Sequence, residues 1–231
     1  MTRRSTKDEK RSLRVFTCSI LVFKNNTSQV LQSPEFNNRV HMKNIKKILF
    51  LNQMAGPLFF ELAVDLSITC SRKSELYTGY PDTLKRSDGS DTLIISSAPP
   101  YNTRSNLTRL WSWCAYAVSA WLKVLFASKG TLVFVVSNPP LMGPLVFMAS
   151  RIRKLPYVVL IYDMHPDTMI NFGLLKERSI LVRIWRYFNK LVWENAEAVF
   201  TIGTVMAEKL ADQFVSEKTQ LGYVGVVPPW A

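Results

Sequence analysis

Residues 163–167 (Asp-Met-His-Pro-Asp) hold residue types that suit acid–base chemistry. This loop places Asp163, His165 and Asp167 after an apolar run that is typical of a buried strand. A carboxylate there can accept a hydrogen bond from an incoming hydroxyl group, and a histidine can exchange protons near neutral pH. The alternative is a purely local role, because Asp often caps a helix and His-Pro often forms a turn.

A single glycine, Gly56, follows the first apolar run and precedes Pro57. Backbone N–H groups at such a strand-to-helix turn can bind a phosphate, although a plain turn has the same sequence. The chain contains no G-x-G-x-x-G, no G-x-x-x-x-G-K-[ST] and no G-x-S-x-G motif. It also has no His, Cys, Asp and Glu cluster with metal-ligand spacing, so we expect neither a metal nor a bound cofactor.

The composition is that of a folded protein rather than a disordered one: 48% of the 231 residues are apolar and 12% are aromatic. Three cysteines are too few for a disulfide scaffold, and they fit a reducing, cytoplasmic compartment.

The net charge is +12, and residues 1–46 hold ten Lys and Arg against three Asp and Glu. We therefore expect residues 1–41 to be a basic extension outside the fold; a functional tail or a targeting segment are the alternatives.

Short apolar runs alternate with helical patterns from residue 47 onward, which predicts βαβ units and an α/β fold. We expect strands at 48–51, 68–70 (weak), 92–96, 132–136, 157–162, 198–202 and 225–227, and a loop at 71–91. Helices are predicted at 58–66, 107–127, 141–153, 180–194 and 205–214. The result is a doubly wound, Rossmann-like parallel sheet whose ligands bind at the carboxyl ends of the strands, in loops 52–56, 97–101, 137–140 and 163–167.

Two predicted helices carry both aromatic and basic side chains. The helix over 107–127 suits either a membrane interface or a buried core position, with Trp111, Trp113 and Trp121 near basic residues. On the helix over 180–194, four large apolar residues are predicted to face inward: Ile184, Trp185, Phe188 and Leu191. Its basic row (Arg183, Arg186 and Lys190) is either a solvated face or a surface for anionic lipid. Nucleic acid is a poorer fit, because the aromatic residues follow helical spacing.

Four segments, taken in order, resemble the N-terminal domain of the family 4 glycosyltransferases, retaining enzymes of the GT-B type. They begin at Met42 (MKNIKKILFL), Ser137 (SNPP), Val158 (VVLIYDMHPD) and Val199 (VFTIGTVMAEKL). The closing VVPPWA, residues 226–231, looks like the start of the linker to the second domain. The resemblance covers residues 42–231, with the N-terminal domain at 42–225. It is closest to members that build exopolysaccharides and O-antigens on lipid carriers.

The resemblance implies that this domain binds the acceptor when a sugar is transferred from a nucleotide-sugar to a lipid-linked or polysaccharide acceptor. Asp163 and His165 would be catalytic and would orient the acceptor hydroxyl and the transferring sugar. Gly56 would lie in the loop that faces the donor diphosphate. Asn138, Asp167 and Arg104 would bind substrate.

The donor-binding half and its E-x7-E pair are not found in this sequence, so we expect the chain to be inactive alone. Its partners would be the acceptor, a separate chain with the donor domain, and the inner face of the cytoplasmic membrane through residues 107–127. The alternatives are a non-catalytic, membrane-associated α/β binding module and a truncated gene product.

Overall fold

The computed structural model describes residues 21–22, 44–84, 92–213 and 220–225. Within these ranges the strands form one sheet in which every pairing is parallel. The strands are β1 (Leu21–Val22), β2 (Lys47–Leu51), β3 (Lys73–Thr78), β4 (Leu93–Ser97), β5 (Thr131–Val136), β6 (Tyr157–Ile161), β7 (Ala198–Thr201) and β8 (Gln220–Gly225). Their order across the sheet is β1-β8-β7-β6-β5-β2-β3-β4.

The helices of the described ranges connect these strands. They are α1 (Pro57–Thr69), α2 (Asn106–Leu125), α3 (Met142–Arg153), α4 (Asp167–Asn171), α5 (Ile180–Glu194) and α6 (Thr204–Gln213), with a 3-10 turn at Pro81–Thr83. Polar caps set several of the helix starts. Ser105 and Thr108 form a reciprocal capping box at α2, and the Ser179 hydroxyl accepts a hydrogen bond from the Val182 N–H at α5.

Both faces of the sheet are covered by helices, which confirms the doubly wound α/β prediction. On β2, Ile48 and Phe50 pack into a core with α1, while Leu49 and Leu51 point to the opposite core with α2, α3, α5 and α6. Strands β5, β6 and β7 are buried along their whole length. A parallel strand that is buried on both faces has no room for a polar side chain except at its ends.

The strand order reverses between β2 and β5, which are hydrogen-bonded neighbours. The chain first runs outward from β2 through β3 to β4, and then returns along α2 to place β5 on the other side of β2. In open α/β sheets such a reversal leaves a crevice at the carboxyl ends of the strands, where ligands bind. The loops at 52–56 and 137–141 lie on the two sides of this point.

Two strand predictions were wrong. The weak strand expected at 68–70 is the end of α1, and the expected loop at 71–91 contains β3. Most residues of β3 are polar, so its sequence resembles that of a loop, although every second residue is buried and Leu76 is completely so. The last strand is Gln220–Gly225 rather than 225–227, and residues 226–231 lie outside the described ranges.

The predicted basic extension over residues 1–41 also lies outside the described residues, except for Leu21–Val22. This dipeptide forms β1 and pairs in parallel with Val224 and Gly225 of β8. The assignment of residues 1–41 to an extension outside the fold stays a prediction.

Helix α5 has the predicted bounds, Ile180–Glu194, but not the predicted orientation. Ile184 and Phe188, which were expected to face inward, are 48% and 42% exposed. The residues that α5 buries are instead Val182, Val192 and Trp193. These three side chains therefore fix the rotation of the helix, and the described residues leave the larger apolar side of α5 uncovered.

A partly buried carboxylate, Glu75, accounts for part of the polar character of β3. Glu75 accepts hydrogen bonds of 2.6 Å from Lys47, Lys123 and the Ser96 hydroxyl, and Lys123 also lies 4.6 Å above the ring of Tyr77. Burial alone would raise the pKa of this carboxyl group. The three hydrogen bonds and the lysine charges outweigh burial and lower the pKa to about 2.

We predict that this cluster contributes to acid stability. Because the pKa of Glu75 is about 2 when folded and about 4.3 when unfolded, its contribution is present above pH 4.3 and is lost as the pH falls toward 2. Glu75→Gln should lower the free energy of unfolding by about 1–3 kcal/mol at pH 7 and should flatten the pH dependence between pH 4.3 and 2. Urea unfolding at several pH values measures both effects. Equal curves for Glu75→Gln and for the exposed control Glu61→Gln would contradict the prediction.

Candidate functional site

A small cavity of about 30 Å³ lies at the carboxyl ends of β5 and β6, between the start of α3 and the inner side of α5. That volume accommodates about one or two water molecules. The lining residues combine polar loop residues with apolar helix residues: Ser137, Pro140, Gly143, Pro144, Val159, Ile161, Asp163, His165, Trp185, Asn189, Val192 and Trp193. The two residues predicted to be catalytic therefore line the same cavity.

The loops after β5 and β6 are held together by Ser137. Its backbone N–H donates to the carbonyl of Leu160 (2.9 Å), and its hydroxyl accepts a hydrogen bond from the N–H of Tyr162 (3.1 Å). The Asn138–Pro139 and His165–Pro166 peptide bonds, one in each loop, are both cis. The two hydrogen bonds of Ser137 hold the loops together where they meet the cavity.

Asn189 of α5 fixes the histidine loop from the opposite side. Its side-chain amide donates a hydrogen bond of 2.6 Å to the carbonyl of His165, whose N–H in turn donates to the carbonyl of Asp163 (3.0 Å). The imidazole lies against Trp185, with 6.0 Å between the ring centres and 39° between the planes. The backbone and the ring of His165 are therefore both positioned by α5.

The imidazole of His165 is half-buried, and its Nδ1 is buried with no hydrogen-bond partner among the described residues. Burial lowers the pKa of His165, and the negative charge of Asp163 opposes part of that change. At pH 7 the ring is therefore mostly neutral, with one nitrogen as donor and the other as acceptor. A ligand hydroxyl group or a water molecule in the cavity could satisfy the unpartnered nitrogen, while Asp163 is exposed and open to a larger ligand.

Asp167 starts α4, and it binds Arg186 of α5 rather than lining the cavity. Its Oδ1 accepts hydrogen bonds from the Nη2 (2.7 Å) and the Nε (3.3 Å) of Arg186. The guanidinium also lies 3.7 Å from Glu177. The structure thus gives Asp167 a part in joining α4 to α5; its predicted role in substrate binding stays a prediction.

The other predicted binding residues do not line the cavity. Asn138 follows Ser137 and is half-buried. Gly56 immediately precedes α1 on the far side of the β2–β5 reversal, and a Cβ atom added there would meet nothing within 4 Å. Arg104 is exposed in the loop after β4, the strand at the edge of the sheet, and its N–H donates to the Asn102 side chain (3.0 Å).

Sequence reasoning missed two buried amides directly after β2. Gln53 donates hydrogen bonds from its side chain to the carbonyls of Pro99 (3.2 Å) and Ser112 (3.1 Å), and so holds the loop after β4 against the loop after β2. Asn52 accepts a hydrogen bond from the N–H of Met54 (3.1 Å). The Asn52 Nδ2 and the Gln53 Oε1 have no partner among the described residues. The signal in the sequence was the pair of amide residues, Asn52 and Gln53, directly after an apolar run.

Asn189 was also missed. It shares the inward side of α5 with Val182, Trp185 and Val192, at helical spacing. An amide on the apolar inward side of a helix needs a partner, and that requirement was the signal in the sequence.

The tryptophan-rich helix is only partly exposed. On α2, Trp111 is 77% exposed, whereas Trp113 and Trp121 are half-buried with their indole N–H groups enclosed in the protein. Of the helices in the described ranges, none combines the length and the apolar character that crossing a membrane requires. Those ranges also contain no group of three or more His, Cys, Asp or Glu side chains that could hold a metal ion.

Comparison of the sequence with models of known protein families and with curated proteins finds no match.

We predict that the imidazole of His165 titrates below the ordinary value of about 6.5, because burial favours its neutral form. Asp163→Asn should lower the pKa further, since it removes the charge that favours the imidazolium. NMR titration of the imidazole resonances measures both values, and His41→Gln identifies the signal, because the chain has only two histidines. The exposed control Glu177→Gln should leave the midpoint unchanged. A midpoint at or above 6.5, or one that rises in Asp163→Asn, would contradict the prediction.

Proposed function

We propose that this chain is the acceptor-binding domain of a GT-B glycosyltransferase similar to family 4. The whole enzyme would transfer a sugar from a nucleotide-sugar to a lipid-linked or saccharide acceptor. The observation that carries the proposal is the placement of Asp163 and His165 in one cavity at the carboxyl ends of central strands. The order of the four family-like segments along the chain supports it, as does the Rossmann-like sheet.

The reaction joins an acceptor hydroxyl oxygen to the anomeric carbon of the sugar as the nucleoside diphosphate leaves. Asp163 is exposed at the edge of the cavity and can accept a hydrogen bond from the acceptor hydroxyl, which orients its oxygen for attack. The neutral ring of His165 can bind a second hydroxyl group through its unpartnered nitrogen. Trp185 and Asn189 would keep the loop in position while the acceptor binds.

The diphosphate would lie near the start of α1 on the other side of the strand reversal. There the N-terminus of a 13-residue helix opens at Gly56, with unoccupied space around its Cα. Helix N-termini favour negative charge, because backbone N–H groups and the helix dipole point toward it. Under this proposal a second domain binds the nucleoside and the sugar.

Binding experiments with the full chain test the proposal. We predict that water-soluble, short-chain isoprenyl diphosphate saccharides, or free oligosaccharides, bind this chain in calorimetry and also shift the NMR signals of His165 in the unchanged chain. Asp163→Asn and His165→Gln should each weaken that binding by about tenfold or more, which is the usual cost of a lost hydrogen bond to a charged or buried group. UDP- and GDP-sugars alone should show no heat of binding in calorimetry.

Asp82→Asn is the matched control, because it removes an exposed carboxylate from the turn after β3 and should leave saccharide binding unchanged. Micromolar binding of a nucleotide-sugar to this chain alone would contradict the assignment of donor binding to a second domain. Saccharide binding that is unaffected by both site variants would contradict the site. No saccharide binding at all would favour the non-catalytic binding module.

A further inference from the structure

Helix α5 carries a wide apolar surface that the described part of the chain does not cover. Ile180, Leu181, Ile184, Tyr187 and Phe188 are between 42% and 71% exposed. At 100° per residue these five side chains fall on one continuous arc of the helix, about 120° wide. Large apolar residues gathered on one helix surface mark an interaction site more often than scattered ones do.

The segment that leads into α5 exposes two further large apolar side chains. Phe172 and Leu174, which follow α4, are 76% and 71% exposed. The hydrogen bonds between Arg186 and Asp167 hold the start of α4 against α5. We refer to these two residues, together with the five of α5, as the α4–α5 apolar surface.

Packing explains why this surface stays outside. The rotation of α5 is fixed by its buried residues Val182, Val192 and Trp193 and by the hydrogen bond from Asn189 to the histidine loop. Turning the apolar arc inward would break these contacts and expose the side chains that close the core. The described residues therefore leave the arc uncovered.

Basic side chains lie directly beside this surface. Five are exposed between residues 172 and 194: Lys176, Arg178, Arg183, Arg186 and Lys190. The same stretch has two acidic residues, Glu177 and Glu194, both of which lie next to basic side chains. On α5 the basic residues fall on a narrow arc next to the apolar one, so an occupant of this face meets apolar and positive groups together.

We propose that the α4–α5 apolar surface binds the interface of a bilayer that contains anionic phospholipids. Helix α5 would lie along the membrane plane with its apolar arc among the acyl chains and its basic arc at the headgroups. A helix with one apolar arc and one basic arc suits interfacial binding, because burial of apolar side chains and attraction to anionic lipid act together.

Helix α2, the helix that the sequence favours for membrane contact, fits this role less well. Its exposed apolar residues include Leu107, Trp111 and Phe126. Lys123 of α2 is bound to Glu75, and Arg109 is half-buried, so the exposed basic residues near that stripe, Arg104 and Lys129, lie beyond the two ends of the helix. The positive charge near α2 is thus at its ends, whereas on α5 exposed basic residues run along the helix beside the apolar arc.

The inner side of α5 lines the cavity, so the membrane surface and the candidate site share one helix. A bilayer bound along the outer side of α5 would bring the histidine loop close to the headgroups. An acceptor carried on a lipid could then reach Asp163 without leaving the membrane. This last consequence rests on the proposed function, whereas the binding surface itself does not.

Co-sedimentation of the full chain with vesicles tests the proposal. We expect binding to phosphatidylcholine vesicles that contain phosphatidylglycerol and much weaker binding to phosphatidylcholine alone. The double variant Ile184→Ser/Phe188→Ser should lower the partition coefficient by at least about tenfold, because it removes two large apolar side chains from the bilayer. Arg183→Gln/Lys190→Gln should weaken binding to the anionic vesicles and reduce its salt dependence.

The matched control is Leu107→Ser/Trp111→Ser on α2, which removes a similar apolar area and should leave vesicle binding unchanged. Circular dichroism and thermal unfolding of each variant show whether the fold is kept, and a folded chain is expected because all of these positions are exposed. Loss of binding in the α2 control with full binding in the α5 variant would overturn the proposal. Equal binding to both kinds of vesicle would also overturn the proposal. A dimer in sedimentation analysis that only the α5 variant disrupts would overturn it as well.

The test of vesicle binding and the test of saccharide binding can fail independently of each other. Asp163→Asn and His165→Gln should leave vesicle binding unchanged, so a wrong assignment of the site would not affect this test. A chain that binds saccharide but no anionic vesicle would refute the membrane surface and leave the proposed function standing.

Discussion

Burial of the central strands on both faces is the constraint from which the rest of the architecture follows. Strands β5, β6 and β7 expose no side chain along their length, so helices must pack on each side of the sheet and every connection must cross over. Because all of the strands are parallel, their carboxyl ends meet at a single edge. Polar side chains near these strands can lie only in the loops at the strand ends, and that is where Ser137, Asp163 and His165 are found.

Helix α5 links this edge to the protein surface. Its inner side buries Val182 and Trp193 in the core, and the next side chains along that side, Trp185 and Asn189, hold the histidine loop. One helix therefore fixes the environment of His165 and at the same time determines which side chains face outward. A change in the rotation of α5 would alter the cavity and the α4–α5 apolar surface together, so the two features are coupled by packing.

The sequence predicts the fold well wherever burial is complete on both faces. Five consecutive apolar residues identify β5, and Asp163 and His165 were placed correctly after β6 because a buried strand must end before polar residues begin. Strand β3 was missed because Glu75 obtains its compensating charges from Lys47 and Lys123, which are distant in sequence. The orientation of α5 was missed for a related reason: the number of apolar residues on one side of a helix does not say which side finds a partner. Contacts between residues that are distant in sequence determine both the formation of β3 and the rotation of α5.

The size of the cavity limits what it can do. At about 30 Å³ it is far smaller than the roughly 300–1,000 Å³ of ordinary ligand pockets, so a sugar ring cannot enter it. It can receive one hydroxyl group, which would reach the buried nitrogen of His165 while the rest of the ligand lies on the loops outside. Asp163, which is exposed on those loops, would then contact the ligand from the open side. A site with one buried contact and one open side binds weakly until something covers it, and in a two-domain transferase the closing second domain supplies that cover and excludes water.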